Sequence, residues 1–591
     1  MRYEPTFWEN GKTPLNDDNL NKIETGLSNL SENVEELNST VENLSTTIED
    51  DLAEVREDIE ELKNKVDVDI TEGSTTTLTN SFDGGLRFEE MLGKSEQNGT
   101  PTPSAPISIK SVKGKNRLNC SGLTAQTLNG VTFTPVYDSN GYLLYINANG
   151  KASANAFYQI GWMNYVKGEI YSLNGCPAGG ASSTYNIFTS KSAIGLSAQD
   201  VGSGVTFTVS DNAETNVVIA IYSGVTVNNL RFYPMIRTSG NSSYVPYGLI
   251  ELKTHGKNFL KGTSQSQTIN GVTFTINSDG SVTANGTATA DASLYFVGKV
   301  GDTVPIVPAG TYMCGKSNNQ NALTLVGYGK AQIEYIQTKE KEVNAPNGIS
   351  WVVLRVNNGT VANNIKFYPM IRLVDTDDKY EPYQESVSYL SDIDLNGIGD
   401  LKDRLIRKDG LWQIERKFAT VVLDGSADEA WNTSSSFAGR YYVDGIPNAK
   451  RVGKGICTHS THTEGTSTEV QGVSFFSGTT DGRLNINTSF ETLAEWKAYL
   501  QTSPMALVYE LATPTYEVLP TAEQIALNSL LTFDGTTYLS IESELEPQFT
   551  LEYGTSKVGG YTLKSLNTAE VNTARLNAIE TLTSNLATAI L

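Results

Sequence analysis

The stretch NNLRFYPMIR at residues 228–237 recurs in the same chain as NNIKFYPMIR at residues 363–372. The two differing positions keep size and charge, since Leu becomes Ile and Arg becomes Lys. A match this close within one chain indicates a duplicated structural unit, and such a repeat decides how the fold is divided.

Further matches surround this stretch and occur in the same order in both copies. They pair GKNRL at 114–118 with GKNFL at 256–260, LNGVTFT at 128–134 with INGVTFT at 269–275, and YVPY at 244–247 with YEPY at 380–383. We therefore predict two copies of one module, at residues 114–250 and 251–385. Each copy has a size that is common for a domain with its own core.

Alternating side chains and turn residues predict that each module consists of β-strands. In the first copy, Leu230, Phe232 and Ile236 fall on one face at period two. Turn sequences at 138–141 and 277–280 end in Asn-Gly or Asp-Gly and separate strand-like runs. Short strands without a helical pattern favour a β-sandwich of jelly-roll type. On this interpretation the repeated motif is structural framework rather than an active site.

Two more β regions complete the middle of the chain. Residues 386–556 are predicted as a third β-sandwich domain that lacks the marks of the repeat, and residues 71–113 as a small β region that links the coil to the modules. One helix is expected in the third domain, in FETLAEWKAYLQ at 490–501, where apolar residues share a face at helical spacing. The fold class expected is mostly β with α-helical ends.

A heptad pattern in residues 19–70 predicts a coiled coil. From Leu20 the apolar residues step by three and four over four repeats, with a stutter after Ile48. Residues 16–70 carry 17 acidic and 4 basic side chains, so more than half of the net charge of −22 lies on the outer face of this helix. A single helix cannot bury such a seam, so the pattern predicts a parallel oligomer. The heptads alone leave dimer and trimer open.

Residues 557–591 predict a C-terminal helix with a weaker apolar seam. The residues that share its apolar face are Leu576, Ile579, Leu586 and Ile590. A seam this short is marginal alone, so we expect it to close only where other domains hold several copies together. It would then either clamp the end of an oligomer or offer a stalk to a separate receptor-binding protein.

Bulk composition argues against several partners and locations. No apolar run is long enough for a membrane span, and the first residues lack the apolar core of a signal peptide. The four cysteines are far apart in sequence and form no CxxC pair, which suits a protein made in a reducing cytoplasm. The strong negative charge argues against nucleic acid and anionic membrane as partners.

Several motifs together resemble tail and baseplate proteins of long-tailed phages of Gram-positive bacteria. WENGKTPLNDDNLNKIETGL at 8–27 resembles their N-terminal attachment motif, and GKSEQNGTPTPSAPISIKSV at 93–112 resembles a stretch that precedes a sandwich module. DLNGIGDLKDRL at 394–405 and VYELATPTYEVL at 508–519 resemble their more distal domain. The motifs keep this order over nearly the whole chain. The helical C-terminus departs from a plain tip protein, which often ends in a β domain.

The resemblance implies a virion structural protein of the tail-tip, baseplate or tail-fibre kind, often a homotrimer. It would be made in the host bacterial cytoplasm and reside in the virion tail, with other tail proteins and host-surface carbohydrate as partners. Residues 1–18 would form the tail-attachment segment, whose anchors would be Trp8, Leu15, Leu20 and Ile23; large apolar anchors dominate interfaces. The β modules would resemble carbohydrate-binding modules and act in receptor binding.

No catalytic constellation is evident, so we expect a protein that is not an enzyme and needs no cofactor or metal. His459 and His462 lie near Cys457 in CTHSTH, but a surface turn explains them more simply than a metal site. No phosphate-binding loop precedes a helix, and nothing pairs two carboxylates as a glycosidase requires. Two other classes stay open: a bacterial surface glycan-binding adhesin, which should carry a signal peptide or wall anchor, and a tail-associated glycan depolymerase.

Sugar binding is the chemistry that the residues favour most. Aromatic rings stack on the apolar faces of sugars, and Asn, Asp and Gln side chains distinguish hydroxyl groups. Ligand residues are expected where the two copies differ. In the aligned sequences Trp162 stands opposite Lys299, and Trp351 stands opposite Asn216. Trp162, Tyr165 and Trp351 are therefore candidate glycan contacts, although core packing is the simpler role for each.

Overall fold

The computed structural model of the chain divides into two compact units, Met1–Lys63 and Asn64–Leu591. About half of its residues lie in strands, which confirms the prediction of a mostly β fold. It describes scattered positions between residues 12 and 46, then 63–69 and 76–590 except 192–195, 239–243, 263–264, 303–304, 435–438, 462–472 and 477–481.

The N-terminal unit is helical at every described position between residues 17 and 46. Asn16 precedes the helix, and its carbonyl accepts a 3.1 Å hydrogen bond from Leu20 N, as expected where a helix begins. Leu20 and Leu27 are 45% and 61% exposed within this single chain, while Ile23 is half-buried. Two of the three described seam residues are therefore largely open to solvent within the single chain.

The rest of the N-terminal prediction falls partly outside the described residues and is wrong where the helix was expected to end. Trp8 and Leu15 lie outside the described residues, as do the seam residues between positions 30 and 62. The heptad spacing predicts helix through Val66, but Lys63–Asp69 is a β-strand. Val66 and Val68 alternate with charged residues there, and this period of two favours a strand over a helix.

The segment before module 1 contributes strands to distant sheets. Its strands are β1 Lys63–Asp69, β2 Thr76–Ser81, β3 Gly84–Leu92, β4 Ser95–Glu96 and β5 Lys110–Lys113. β2 and β3 pair with strands from the far end of the chain, at Gly535–Glu542 and Gln548–Gly554. The described strands of the stretch predicted as a separate β linker, 71–113, therefore belong to the sheets of the third region.

Module 1 packs three small antiparallel sheets around one core. Its strands are β6 Gln126–Leu128, β7 Val131–Tyr137, β8 Leu143–Lys151, β9 Ala156–Tyr165, β10 Ile170–Asn174, β11 Tyr185–Lys191, β12 Leu196–Asp200, β13 Val205–Thr208, β14 Ala213–Ile221, β15 Thr226–Phe232 and β16 Met235–Arg237. The sheet orders are β15-β8-β7-β6, β12-β11-β14-β9 and β13-β10-β16. Phe133 and Tyr158 stack inside the core, with ring centroids 5.0 Å apart.

Module 2 repeats this topology strand for strand. After β17 Leu249–Gly256, which joins the third region, its strands are β18 Gln267–Ile269, β19 Val272–Ile276, β20 Val282–Thr287, β21 Ala292–Val297, β22 Gly310–Cys314, β23 Ala322–Tyr328, β24 Ala331–Ile336, β25 Lys341–Ala345, β26 Trp351–Val356, β27 Val361–Phe367 and β28 Ile371–Leu373. The sheet orders are β18-β19-β20-β27, β21-β26-β23-β24 and β25-β22-β28. The duplication in sequence is therefore a duplication of the fold.

One buried asparagine in each copy joins the repeated GKN and FYPMIR motifs. In module 1, Asn116 Nδ2 donates to the Val245 carbonyl at 2.9 Å. Its Oδ1 accepts from the N–H groups of Leu118 and Ile236, at 3.0 and 3.3 Å. Asn258 repeats the arrangement in module 2. This side chain ties the start of the module to its last strand and to the YxPY segment, which explains why the three motifs recur together.

The third region gathers strands from both sides of the two modules. Its later elements are β29 Glu385–Ser391, β30 Asp394–Leu395, β31 Gly397–Ile398, β32 Leu401–Lys402, β33 Arg404–Lys408, β34 Leu411–Leu423, β35 Ala430–Thr433, β36 Arg440–Ile446, β37 Gly455–Cys457, β38 Val473–Phe476, β39 Gly482–Asn487, α1 Leu493–Thr502, β40 Met505–Val518, α2 Thr521–Asn528, β41 Leu531–Thr532, β42 Gly535–Glu542, β43 Gln548–Gly554 and α3 Lys557–Ile590. Its largest sheet has the order β1-β43-β3-β33-β34-β40-β37, with β41 also paired to β3. The others have the orders β2-β42-β17-β29, β35-β36-β39-β38, β30-β5-β4 and β31-β32.

Two cores support this region, and the predicted helix belongs to one of them. Trp412 is fully buried in the first core, together with Phe88 from the segment before module 1. The second core holds Trp431 and Trp496, whose rings meet edge to face at 6.1 Å. Trp496 lies on α1, which begins with a capping box at Thr492 and forms where the apolar spacing predicts it.

The C-terminal helix α3 is docked over its first turns. Leu563 and Leu566 are 0% and 4% exposed. Glycines in β3 permit the close approach, because a Cβ added at Gly85 would lie 2.6 Å from Leu563. Further along, Leu576 and Ile579 are each 59% exposed. The helix therefore begins as part of the third region and then presents an uncovered apolar face; the side chains of Leu586 and Ile590 lie outside the described residues.

Candidate functional site

One sheet of module 1 shows aromatic side chains to solvent. We call its solvent-facing side the outer face of module 1; it is formed by Phe157, Gln159, Trp162 and Asn164 of β9, Phe188 of β11, and Glu214 and Asn216 of β14. Phe157 and Trp162 are 48% and 57% exposed. Two such rings on one strand, beside exposed polar side chains, make this face a candidate binding surface.

Polar groups stand beside these rings at fixed positions. Asn216 lies directly opposite Trp162 in the β14–β9 pair, and Glu214 lies opposite Asn164. The Phe157 ring meets Phe188 edge to face at 6.0 Å, which restrains it. The face therefore offers rigid apolar rings flanked by amide and carboxylate groups.

A β-bulge decides which side chains of β9 reach this face. Gly161 pairs with Val217 and Gln159 pairs with Val218, so Ile160 is the extra residue. The bulge shifts the alternation, and Trp162 points outward while Tyr165 points into the core. Tyr165 is 2% exposed and meets Tyr171 edge to face at 5.0 Å. Of the two candidate contacts on this strand, the structure places only Trp162 at the surface.

The equivalent sheet of module 2 carries its own exposed rings. We call its solvent side the outer face of module 2; it is formed by Tyr295 of β21, Leu323 and Leu325 of β23, Tyr335 of β24, and Trp351 and Val353 of β26. Tyr295 and Tyr335 are 45% and 50% exposed. Lys341 Nζ lies 5.1 Å from the centroid of the Tyr335 ring. The sequence analysis did not identify Tyr295, Tyr335 or Phe157 as candidate contacts. The only sign of them in the sequence is an aromatic residue at an outward position of a strand.

Trp351 is part of the packing on this second face. It is 3% exposed and belongs to a small apolar cluster with Leu325 and Val353. Its Nε1 donates a 2.8 Å hydrogen bond to the Gly329 carbonyl. The ring also covers Gly327, where an added Cβ would lie 1.9 Å from it. Its hydrogen bond is satisfied within the protein, so Trp351 stabilises the face without offering a free ring surface.

The structure also corrects the alignment of the two copies at Trp162. The strand registers equate Gly161 with Val297. Trp162 therefore corresponds to Gly298 rather than to Lys299. The copies differ more at this position than the sequence alignment suggests, because a large ring in one stands where the other has no side chain.

A cleft of about 690 Å³ lies between module 1 and the third region. Asn164, Asn212 and Glu214 line it from module 1, and Thr458 and Thr502 line it from the third region. Asn212 Nδ2 and the Thr502 carbonyl approach to 3.5 Å, so the two walls nearly meet at one edge. The volume is within the range of small-ligand sites. Asn164 belongs to both the cleft and the outer face of module 1, so the two surfaces are continuous.

Charges along the cleft are matched within the protein. Glu544 is 2% exposed, pairs with Arg117 and lies 3.6 Å from Lys113 Nζ. It also accepts hydrogen bonds from Ser111 N at 3.2 Å and from Thr238 Oγ1 at 3.1 Å. Burial alone would raise the pKa of Glu544, but Arg117 and Lys113 hold that pKa below its usual range. Both cations that line the cleft thus share one buried carboxylate, and Glu214 and Asp394 add two further carboxylates to the lining.

His459 lines the cleft as a neutral, hydrogen-bonded side chain. It is 1% exposed, its Nε2 lies 3.1 Å from Ser503 Oγ, and its Nδ1 lies 2.8 Å from Thr458 Oγ1. Burial lowers the pKa of His459 to about 4. The surface-turn interpretation is therefore wrong for His459, which is buried in the wall of the cleft, while His462 lies outside the described residues.

The described residues hold no cluster that would suit metal chemistry or a reactive thiol. No group of three or more His, Cys, Asp or Glu side chains among them could hold a metal ion. Cys120, Cys314 and Cys457 are buried, and burial raises the pKa of each thiol to about 12. A thiol with that pKa remains protonated near neutral pH and is a poor nucleophile.

Comparisons with known proteins give no match: no family model fits the sequence, and no curated protein or solved structure is similar to it. Within the described part of the chain, none of the helices is both long and apolar enough to cross a membrane. The two outer faces and the cleft are therefore the features of the molecule that bear on its function.

Proposed function

We propose that this chain is a structural and adhesion protein of a phage tail that attaches by its N-terminus and presents its tandem β modules to host-surface carbohydrate. The observation that carries the adhesion part is the recurrence of exposed aromatic rings on the same sheet of both modules. Phe157 and Trp162 occupy it in one copy, and Tyr295 and Tyr335 occupy it in the other.

Carbohydrate is the ligand class that suits these faces. A sugar ring has an apolar side that covers an aromatic ring, and its hydroxyl groups need donors and acceptors nearby. Gln159, Asn164 and Asn216 supply amide groups next to Trp162. The rings stand exposed on the surface of a sheet, so we expect a single site to bind weakly and several copies in one assembly to supply avidity.

The tail assignment rests on the order of the sequence motifs and on the uncovered helices. Leu20 and Leu27 are exposed in the single chain, which is the arrangement expected if the helix closes against identical helices in a parallel coiled coil. We propose a homotrimer, with Trp8, Leu15, Leu20 and Ile23 docking onto the tail. The jelly-roll topology of the modules is part of the same proposal.

The C-terminal helix has a proposed role of its own. Its exposed residues Leu576 and Ile579 follow the turns that are docked on the third region. Three such helices held side by side could cover these residues mutually or receive a separate receptor-binding protein. We favour the second role, since the docked first turns already hold the helix and leave the distal part available.

Cell labelling with the full-length chain tests the adhesion proposal. The fluorescent protein, displayed in many copies on beads, should label cells of a susceptible Gram-positive host. A variant with Trp162→Ala and Tyr295→Ala should lose most of this labelling, while Tyr561→Ala should keep it. Tyr561 is a matched control because it is a 56% exposed tyrosine on α3, away from both faces. Undiminished labelling by the double variant would show that the outer faces are not the adhesive surface.

A further inference from the structure

We propose that the cleft between module 1 and the third region binds a short uncharged segment of carbohydrate, which continues onto the outer face of module 1. This inference rests on the proposed carbohydrate adhesion and names the site and the ligand class. It also means that half of the site is supplied by the third region, so that module 1 alone is an incomplete binding unit.

The path of the ligand follows from one strand. Trp162 and Asn164 are two residues apart on β9 and point to the same side, so their Cα atoms are separated by about 6.6 Å. Asn164 lines the cleft, and Trp162 stands just outside it with 57% of its surface exposed. A sugar stacked on Trp162 would therefore have its neighbour at the mouth of the cleft.

The lining has the chemical character that an uncharged sugar requires. An exposed side-chain amide comes from Asn164 and an exposed hydroxyl from Thr420. Amides and hydroxyls both donate and accept hydrogen bonds, as sugar hydroxyls do. Asn212 and Thr458 complete the uncharged lining, with polar atoms that are already hydrogen-bonded within the protein. Apolar contact for the C–H groups of a sugar is available from Pro504, which is exposed and also lines the cleft.

The charges argue against a phosphate-bearing ligand. Arg117 and Lys113 share the Glu544 carboxylate, and Glu214 and Asp394 also line the cleft. Three carboxylates therefore stand against two cations, which disfavours an anionic ligand. Asp394, on the same lining, accepts a 2.5 Å hydrogen bond from Ser111 Oγ. The net charge of −22 also repels polyanions at longer range.

Binding measurements on the full-length chain test the proposal. Arrays of short neutral oligosaccharides and of phosphate-bearing ones are probed with the intact protein, and the affinity for the strongest neutral probe is measured. Thr502→Trp should abolish binding, because the new ring would occupy the cleft. Gln501→Trp is the matched control, since Gln501 is the preceding exposed residue of α1 and does not line the cleft. Trp162→Ala should weaken binding about tenfold.

Each outcome decides between the cleft and the outer face. Loss with Thr502→Trp and retention with Gln501→Trp, with circular dichroism unchanged in both variants, supports the cleft. Wild-type affinity in Thr502→Trp, or preference for the phosphate-bearing probes, overturns it. If no oligosaccharide binds but the multivalent protein still labels cells, the cleft proposal fails while adhesion by the outer faces stands. If neither occurs, both proposals fail.

Discussion

Replacing Asn258 by alanine should unfold module 2 selectively. The side chain is 1% exposed and makes four hydrogen bonds to four different backbone groups. Nδ2 donates to the carbonyls of Pro369 and Glu381 at 3.1 and 2.9 Å. Oδ1 accepts from the N–H groups of Leu260 and Ile371 at 3.0 and 3.1 Å. Each of these four buried backbone groups would be left without a partner, at a cost of about 1 kcal/mol or more each. Module 2 should therefore lose about 4 kcal/mol of stability.

Hydrogen exchange read by mass spectrometry is the appropriate assay, because it reports the stability of each module separately in a chain that will not unfold in two states. In Asn258→Ala, peptides from β19 should exchange much faster, while those from β7 in module 1 should be unchanged. Asn116→Ala should produce the reverse pattern. Asn358→Ala, at an exposed position of module 2, is the control and should change neither.

Asn258→Asp adds a second test of the same reasoning. The carboxylate can still accept from both N–H groups, but it cannot donate to either carbonyl, and it places a charge in a buried site. It should therefore be at least as destabilising as alanine. A change below about 1 kcal/mol for Asn258→Ala would refute the argument, since it would show that these four backbone groups find other partners at little cost.

Three further predictions concern assembly, pH and attachment. Light scattering should give three protomers for the purified chain, and replacing Leu20 and Leu27 by Asp should give monomers; a wild-type monomer at micromolar concentration would exclude the coiled coil. The pKa of His459 is about 4 when folded and about 6.5 when unfolded, so the unfolded chain binds this proton first. The effect of His459 on the free energy of unfolding should be constant above about pH 6.5, and it should lower that free energy by up to about 3 kcal/mol as pH falls to about 4. The variant His459→Gln should therefore show a smaller fall in melting temperature over this pH range than the wild-type chain. An equal fall in both would contradict this. Deleting residues 1–14 should leave a folded protein that is absent from assembled tails, whereas normal incorporation would argue against N-terminal attachment.

The duplicated modules could be predicted from sequence, whereas the third region could not. Repeated motifs such as GKN can be recognised by comparing the two copies within the sequence itself. The helix α1 is also predictable, because a helical apolar period, a capping box and Trp496 all lie within a dozen residues. The third region instead pairs β2 with β42 and β3 with β43. Strands so far apart in sequence leave no local sign of their pairing, so residues 71–113 read as a linker.

The candidate site was predictable only in part, because its strand contains a bulge. Strict alternation from Tyr158 and Ile160, which are buried, would place Trp162 in the core and Tyr165 outside. The extra residue at Ile160 reverses this order after Gly161. The sequence identifies β9 and its aromatic residues as candidates, but the direction in which each side chain points depends on how β9 pairs with β14. The cleft depends in addition on contact between two regions that no motif connects.

The two copies differ in an informative way where their frameworks agree. Module 1 has Trp162 opposite Asn216 on the neighbouring strand. At the matching positions module 2 has Gly298 and Trp351, so the large ring stands on the other strand and is buried against Gly327. The exchange moves a tryptophan from an exposed to a packed position without changing the strand order. The duplicated framework therefore keeps one architecture and presents two different surfaces, which is what two modules that bind different sugars from one host surface would require.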